Sequence, residues 1–297
     1  MLRRDAVFVY LGRDNMLDTV IMIQMIAIAL IIAGIVTIAG KRTSSYASLL
    51  ITAFFLALIH NIGYLLELRS VNAKEVMAAV KVEYLGSAFI VPIITLFIFD
   101  YCRVRMPNLF VFGLTGLGVL VYISIFFYEY TNLYYTSVEF VTEGAMPHIV
   151  LGHGILYYVY AAVNVNTLIA DIAVIFSLIM SARDERMKGN YLALLASVAA
   201  PLIFYIIGML GVFEGFDPAP MGEASTVAIL TIALIRHHIF DVVELANEEI
   251  LDNLENALIV VNGEYGYEES NKKAREIFPS LQSLSRGDRL PDSRLQA

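Results

Sequence analysis

The sequence has few charged residues for its length. Only 16% of its 297 residues are Asp, Glu, Lys or Arg, whereas 58% are hydrophobic, and the mean hydropathy is +0.70. A soluble protein of this size needs more charge to cover its surface, so the composition indicates an integral membrane protein. The formal net charge of −8 argues against nucleic acid as a partner.

Cysteine is nearly absent, and the N-terminus has no cleavage motif. Cys102 is the only cysteine, which excludes a disulfide within the chain. The first apolar run, Leu17–Gly40, is too long for the core of a signal peptide, and no small-residue cleavage motif follows it. We therefore expect this run to be the first membrane-spanning helix.

Features of several other protein classes are missing. A retinal protein needs a lysine in its last span, and the seventh apolar stretch here contains none. The sequence also has no phosphate-binding glycine loop of the Walker type. His148 and His153 with Glu143 lack the spacing of known metal ligands. His237 and His238 are not followed by the acidic residue expected of a phospho-acceptor motif, and they suit membrane-surface anchoring better. We predict no catalytic residue, no metal and no cofactor.

Seven stretches are apolar and long enough to cross a bilayer, which takes about 20 residues. They predict an all-α membrane protein, a bundle of seven transmembrane helices. No internal repeat suggests the paired halves of a transporter. The predicted spans are Leu17–Gly40, Tyr46–Leu66, Val76–Cys102, Asn108–Tyr128, Ile155–Ser181, Tyr191–Phe213 and Gly222–Phe240.

The distribution of Lys and Arg between the loops predicts the orientation. Loops after spans one, three and five are basic, whereas those after spans four and six contain neither residue type. The short tail 1–16 opposes this pattern but is outweighed by the later loops. We predict that the N-terminus is outside and the C-terminus is cytoplasmic. The basic residues assigned to the cytoplasmic side are Lys41, Arg42, Arg103, Arg105, Arg183, Arg186, Lys188 and Arg236.

The longest connection, residues 129–154, lies on the predicted outer side and is aromatic and acidic. Alternation from Tyr134 through Thr136 and Val138 to Phe140 predicts a short β-hairpin that turns at Glu143-Gly144. Two interpretations remain open for this segment. It is either a lid that packs on the helix ends or the wall of a ligand site.

Polar residues inside membrane spans are costly, usually face the bundle interior and often mark function. The outer halves of spans two, three and five carry such residues at similar depth, which predicts a pocket open to the outside. The alternative is a purely structural role, through hydrogen bonds between helices and an ion pair of Lys81 with Glu67 or Glu83. The candidate ligand-binding residues are His60, Glu67, Lys81, Glu83, Tyr84, Tyr157 and Asn164.

The junction after the seventh span predicts how a signal leaves the membrane. The span is followed by a polar helix, Asp241–Asn256, whose apolar stripe is too narrow to bury alone, so we expect a homodimer. Proline inside spans three and six kinks those helices and gives the bundle alternative packings. The candidate relay residues are Pro92, Pro201, Arg236, Val243, Ile250 and Leu254.

Three segments resemble the N-terminal seven-helix sensor region of bacterial histidine kinases and related diguanylate cyclases. They are KVEYLGSAFIVPIITLFIFDYC at Lys81–Cys102, Pro201 with the later Asp217-Pro218 turn, and ALIRHHIFDVVELANEEILDNLENALIVVN after it. The resemblance implies a non-enzymatic sensory module in the bacterial cytoplasmic membrane. Such a module detects an extracellular or membrane signal, a small molecule or peptide, and relays it to a cytoplasmic region.

The segment after the connecting helix resembles the start of a PAS domain. Ala257–Asn262 predicts a strand, Gly263-Glu264 a turn, and Asn271 with Ala274 the start of a helix. Residues 257–297 are too few for a typical domain of about 100–150 residues, so we predict an incomplete PAS-like segment.

Two alternatives for the function of the chain remain open, namely the input half of a longer histidine kinase or diguanylate cyclase, and a small-solute transporter or channel. The predicted domains are a tail (1–16), a membrane sensor (17–240), a connecting helix (241–256) and the PAS-like segment (257–297).

Overall fold

The structure, a computed structural model, describes residues 2–39, 45–143, 146–182, 185–210, 215–236, 256–261, 266–284 and 288–289. It divides into two compact units, residues 1–237 and 238–297, which are described separately. The first unit contains seven helices that are long and apolar enough to cross a membrane, which confirms the predicted seven-helix architecture.

The helices of the first unit follow the predicted spans with small shifts at their ends. The helix of the first span extends back to Leu2 and so includes most of the predicted tail. The sixth spanning helix begins at Glu185, ahead of its apolar part, because Glu185 suits a helix N-terminus and pairs with Lys188 at 2.8 Å. The helices are α1 Leu2–Ala39, α2 Ser45–Leu68, α3 Ala73–Tyr101, α4 Asn108–Phe126, α5 Tyr128–Thr131, α6 Ile155–Ser181, α7 Glu185–Met209 and α8 Ala219–Arg236.

Helices α2 and α3 approach each other closely at two glycines. A Cβ on Gly63 would lie 2.5 Å from the backbone nitrogen of Glu83, and a Cβ on Gly86 would lie 2.7 Å from that of His60. Small residues permit such backbone contact between membrane helices, where packing rather than the hydrophobic effect drives association. The contact brings the polar residues of α2 next to those of α3.

The last spanning helix, α8, packs closely against α7. A Cβ on Gly222 of α8 would lie 2.8 Å from the Cα atom of Pro201 and 3.0 Å from the Cβ atom of Phe204. Pro201 lies inside α7, and Pro92 lies inside α3. Each proline removes a backbone hydrogen-bond donor from its helix, as the sequence predicted.

The connection between α5 and α6 forms the two strands of the predicted hairpin, whereas Gly144 of the predicted Glu143-Gly144 turn lies outside the described residues. Strands β1 (Tyr135–Val141) and β2 (His148–His153) are antiparallel, with Val138 opposite Leu151. Apolar hairpin side chains pack on a core formed by the ends of α3, α4 and α6. The backbone nitrogen of Gly154 also donates to the carbonyl of Tyr134 at 2.8 Å. The hairpin therefore covers one end of the helical bundle.

The second unit contains a two-stranded antiparallel sheet and two short helices. The strands are β3 (Ile259–Val261) and β4 (Tyr267–Ser270), followed by α9 (Lys272–Ile277) and a 3-10 helix at Pro279–Ser283. The Asn271 side chain accepts hydrogen bonds from the backbone nitrogens of Ala274 at 2.9 Å and Leu258 at 2.8 Å. It therefore starts the helix and ties it to the strand.

This unit confirms the predicted strand and helix start, whereas the resemblance to a PAS domain stays a prediction. The predicted turn at Gly263-Glu264 lies outside the described residues. So does the connecting helix, with the predicted relay residues Val243, Ile250 and Leu254.

We predict that Gly86→Ala destabilises the bundle by about 1–3 kcal/mol, because the added methyl group overlaps the α2 backbone. Gly116→Ala is the matched control, since a Cβ there has no neighbour within 4 Å. The stability of the control should equal or exceed that of the wild type, because Ala has a higher helix propensity than Gly. Unfolding midpoints of the purified proteins in detergent test this, and equal midpoints for the two variants would contradict the close contact.

Candidate functional site

A cavity of about 700 Å³ lies at the hairpin end of the first unit. Residues of α2, α3, α6, α7, the hairpin and the start of α8 surround it. Sites for drug-sized ligands have volumes of about 300–1,000 Å³, so this cavity has room for a small molecule.

Six of the seven predicted ligand-binding residues line this cavity, namely His60, Glu67, Glu83, Tyr84, Tyr157 and Asn164. They come from three helices, as the polar positions in the sequence suggested. The structure therefore brings together side chains separated by up to a hundred residues in the chain. Their role in ligand binding stays a prediction.

Lys81 is the exception among the predicted site residues. Its ammonium group lies 4.9 Å from the ring centroid of Phe126 and 5.6 Å from that of Tyr128, on the side of α3 that faces α4. Among the ion pairs of the described residues, none includes Lys81, so the predicted pair with Glu67 or Glu83 is wrong. A lysine side chain near a helix end is stabilised when its ammonium group lies over aromatic rings and stays close to water.

A histidine–glutamate pair links α2 to α8 at the cavity wall. His60 Nδ1 lies 2.7 Å from Glu223 Oε2, and His60 is only 5% exposed. Sequence analysis did not select Glu223, although it is the only acidic residue within the predicted seventh span. That isolated charge in an apolar stretch was the available signal.

Two further carboxyl groups meet where α2 and α3 pack together. Glu67 of α2 and Glu83 of α3 both line the cavity and lie near each other in its wall. Glu83 is 5% exposed, and its Oε1 atom is buried without a hydrogen-bond partner among the described residues. Asp217, in the turn before α8, lines the same cavity. Its backbone nitrogen donates to the Tyr64 hydroxyl at 2.9 Å, which holds this turn against α2.

Tyrosines form another part of the wall. The hydroxyls of Tyr134 and Tyr135 both donate to the Tyr84 hydroxyl, at 3.1 and 3.0 Å. The ring of Tyr134 also packs edge-on against that of Tyr157, with centroids 5.6 Å apart. Burial raises the pKa of Tyr134 and of Tyr135 well above the usual value, so both hydroxyls remain protonated donors.

A histidine of the hairpin is stacked against the first turn of α6. The rings of His153 and Tyr157 are 3.7 Å apart and inclined by 19°. Burial lowers the pKa of His153, which favours the neutral imidazole in this stack. The hairpin thus contributes both to the cover of the helix ends and to the cavity wall.

Other buried polar residues hold helices together outside this cavity. The Gln24 amide of α1 donates to Asn61 Oδ1 of α2 at 2.9 Å, and the Thr95 hydroxyl of α3 donates to Asp171 of α6 at 2.8 Å. Such hydrogen bonds are typical of contacts between membrane helices. We therefore interpret these four polar residues as holding the helices together and not as part of the cavity.

Comparison with known families identifies the helical unit. The model of the N-terminal 7TM region of histidine kinase matches residues 21–243. The match spans nearly all of the seven-helix unit and confirms the resemblance drawn from the sequence motifs. A search of curated proteins gives no match to this chain.

We expect the His60–Glu223 pair to show a coupling free energy of about 1 kcal/mol in a double-mutant cycle, because its removal leaves one buried partner unsatisfied. His60→Ala, Glu223→Ala and the double variant are compared by reversible unfolding in mixed micelles. The Glu185–Lys188 pair of α7 is the control, since Glu185 is 85% exposed and such pairs couple by less than about 0.5 kcal/mol. Equal coupling in both cycles would contradict a tight link between α2 and α8.

Proposed function

The chain belongs to the family of N-terminal seven-transmembrane regions of histidine kinases, and from this premise we propose that it is a receptor for a small molecule bound in the cavity. This region of a histidine kinase is non-catalytic. The observation that carries the proposal is the convergence of six polar or aromatic residues from three helices on one cavity.

The position of the cavity supports a signal that arrives from outside the cell. The hairpin and the turn at Asp217 adjoin it. These segments precede α6 and α8, at the end of the bundle opposite the basic loops after α1, α3 and α6. Because basic loops favour the cytoplasmic side, the cavity faces outward and the C-terminus is cytoplasmic in our proposal.

The contact between His60 and Glu223 supports a route for the signal. It connects a cavity residue of α2 to α8, the helix that precedes the predicted connecting helix in the sequence. A ligand that binds one packing of α8 better than another shifts the population between them. The close contact of Pro201 with Gly222 joins α7 to α8 at the same level, so in our proposal a shift of α8 also changes its packing on α7. The change then passes through Asp241–Asn256 to the PAS-like segment.

We predict that ligand binding in the cavity stabilises the full chain, by about 2.7 kcal/mol when the ligand is at one hundred times its dissociation constant. A library of small polar, ionic and aromatic compounds is screened by thermal unfolding in lipid nanodiscs. Asn164→Ala should weaken the binding of a hit by about tenfold, or about 1.4 kcal/mol.

Asn166→Ala is the matched control for this screen. Asn166 is exposed on the same helix, and its side chain donates only to its own helix, at the Ala162 carbonyl. It should bind hits as the wild type does. A library without a single stabilising compound, or equal losses in both asparagine variants, would count against the proposal.

We also propose that the receptor pairs with a second copy through the connecting helix. With Cys102 replaced by Ala, Ile250→Cys should form a disulfide-linked dimer in membranes, because Ile250 lies on the apolar stripe of the predicted helix. Glu248→Cys, on the opposite face, should cross-link far less. Equal yields at the two positions, measured by non-reducing electrophoresis, would argue against symmetric pairing.

A further inference from the structure

Carboxyl groups are prominent in the cavity wall. Four carboxyl groups line it, and none of its lining residues in the described part of the chain is Lys or Arg. His60, the most buried histidine of the wall, already pairs with Glu223, with 2.7 Å between Nδ1 and Oε2. Its Nδ1 atom is therefore not available to pair with an anionic ligand. The four acidic residues are Glu67, Glu83, Asp217 and Glu223.

One of these carboxyl groups has an oxygen that no described residue pairs with. Glu83 lines the cavity, and its Oε1 atom is buried and accepts no hydrogen bond from any described residue. Its neighbour Glu67 is another carboxyl group, which repels it when both are ionised. A buried acceptor without a donor is unfavourable, so a donor carrying positive charge is the occupant that complements this position.

The tyrosines add a second feature that suits a cation. Tyr84, Tyr134, Tyr135 and Tyr157 pack together at the wall, and Tyr205 also lines the cavity. The faces of aromatic rings attract ammonium groups, and rings arranged around a carboxylate are a known solution for binding organic amines. The same rings provide apolar area for the carbon skeleton of such a ligand.

A bare metal ion fits these residues poorly. In the part of the chain that the structure describes, no group of three His, Cys, Asp or Glu side chains converges as a metal site requires. An anionic ligand also fits poorly, because it would lie among four carboxyl groups that repel it when they are ionised. Lys81, the cation that sequence analysis placed here, lies instead beside Phe126.

We propose that the cavity binds a small organic cation, with its ammonium group at Glu83 and Glu67 and its carbon skeleton against the tyrosines. The inference rests on the proposed ligand cavity and adds the chemical class of the ligand. Neutralisation of the carboxyl groups by the bound cation would also change the field at Glu223, and thus the contact with α8.

The test uses probes that share a carbon skeleton and differ in the charge of the end group. Phenethylamine is paired with 2-phenylethanol, and 3-methylbutylamine is paired with 3-methylbutan-1-ol. Binding to the full chain in nanodiscs is measured by thermal unfolding and by calorimetry. At least one amine should bind about tenfold or more tightly than its partner.

Glu83→Gln tests the position of the ammonium group. It keeps the size of the side chain and removes the charge, so it should weaken binding of the amine by about tenfold or more while the fold is retained. Glu67→Gln serves as a second variant if Glu83→Gln unfolds. Two controls keep wild-type affinity, namely Glu139→Gln, exposed on β1, and Asp171→Asn, buried on α6 outside this cavity.

The outcomes separate this inference from the proposed function. If neutral or anionic compounds bind in an Asn164-dependent way and no amine does, the ligand class is wrong and the receptor function stands. Amine binding that is unchanged in both glutamine variants also overturns the inference. If no compound of any class binds, the receptor function itself fails, and the inference fails with it.

Discussion

The backbone contact between α2 and α3 is the constraint on which the site depends. Lipid supplies no hydrophobic driving force between membrane helices, so their association relies on close packing and hydrogen bonds. Gly63 and Gly86 leave space for the facing backbone, which a side chain would fill. This approach forces Glu67 and Glu83 together in the bundle interior. Two carboxyl groups, which repel each other when both are ionised, are thereby held near each other by the packing of the helix backbones.

The hairpin unites two roles that the sequence left as alternatives. Its apolar side chains pack on the ends of α3, α4 and α6, as a lid would, while Tyr134, Tyr135 and His153 line the cavity. Both contacts come from the same part of the hairpin, because Tyr134, Tyr135, Ile149 and Leu151 pack against the core cluster and also line the cavity. A segment fixed to the bundle through these residues presents a largely aromatic wall to the cavity.

In the proposed receptor, the last spanning helix connects the cavity to the route of the signal. Glu223 lies one turn from the start of α8, bonded to His60, and Gly222 beside it rests on Pro201 of α7. In the proposed function, a change at the cavity therefore acts directly on the last spanning helix. Packed interfaces of this kind have discrete arrangements rather than continuous ones, which suits a receptor with two states.

The sequence by itself determined the seven helices, because a membrane helix satisfies its own backbone hydrogen bonds and needs only an apolar stretch of sufficient length. Strand alternation and the Asn271 cap were equally local and were predicted correctly. The rotation of each helix about its axis is not local. It decided that Lys81 faces α4 and that Glu223 meets His60, 163 residues away in the chain. Those partners are determined by the packing of the bundle. Hydropathy predicts which residues form a membrane-spanning helix, but it does not predict which neighbouring residue each polar side chain contacts.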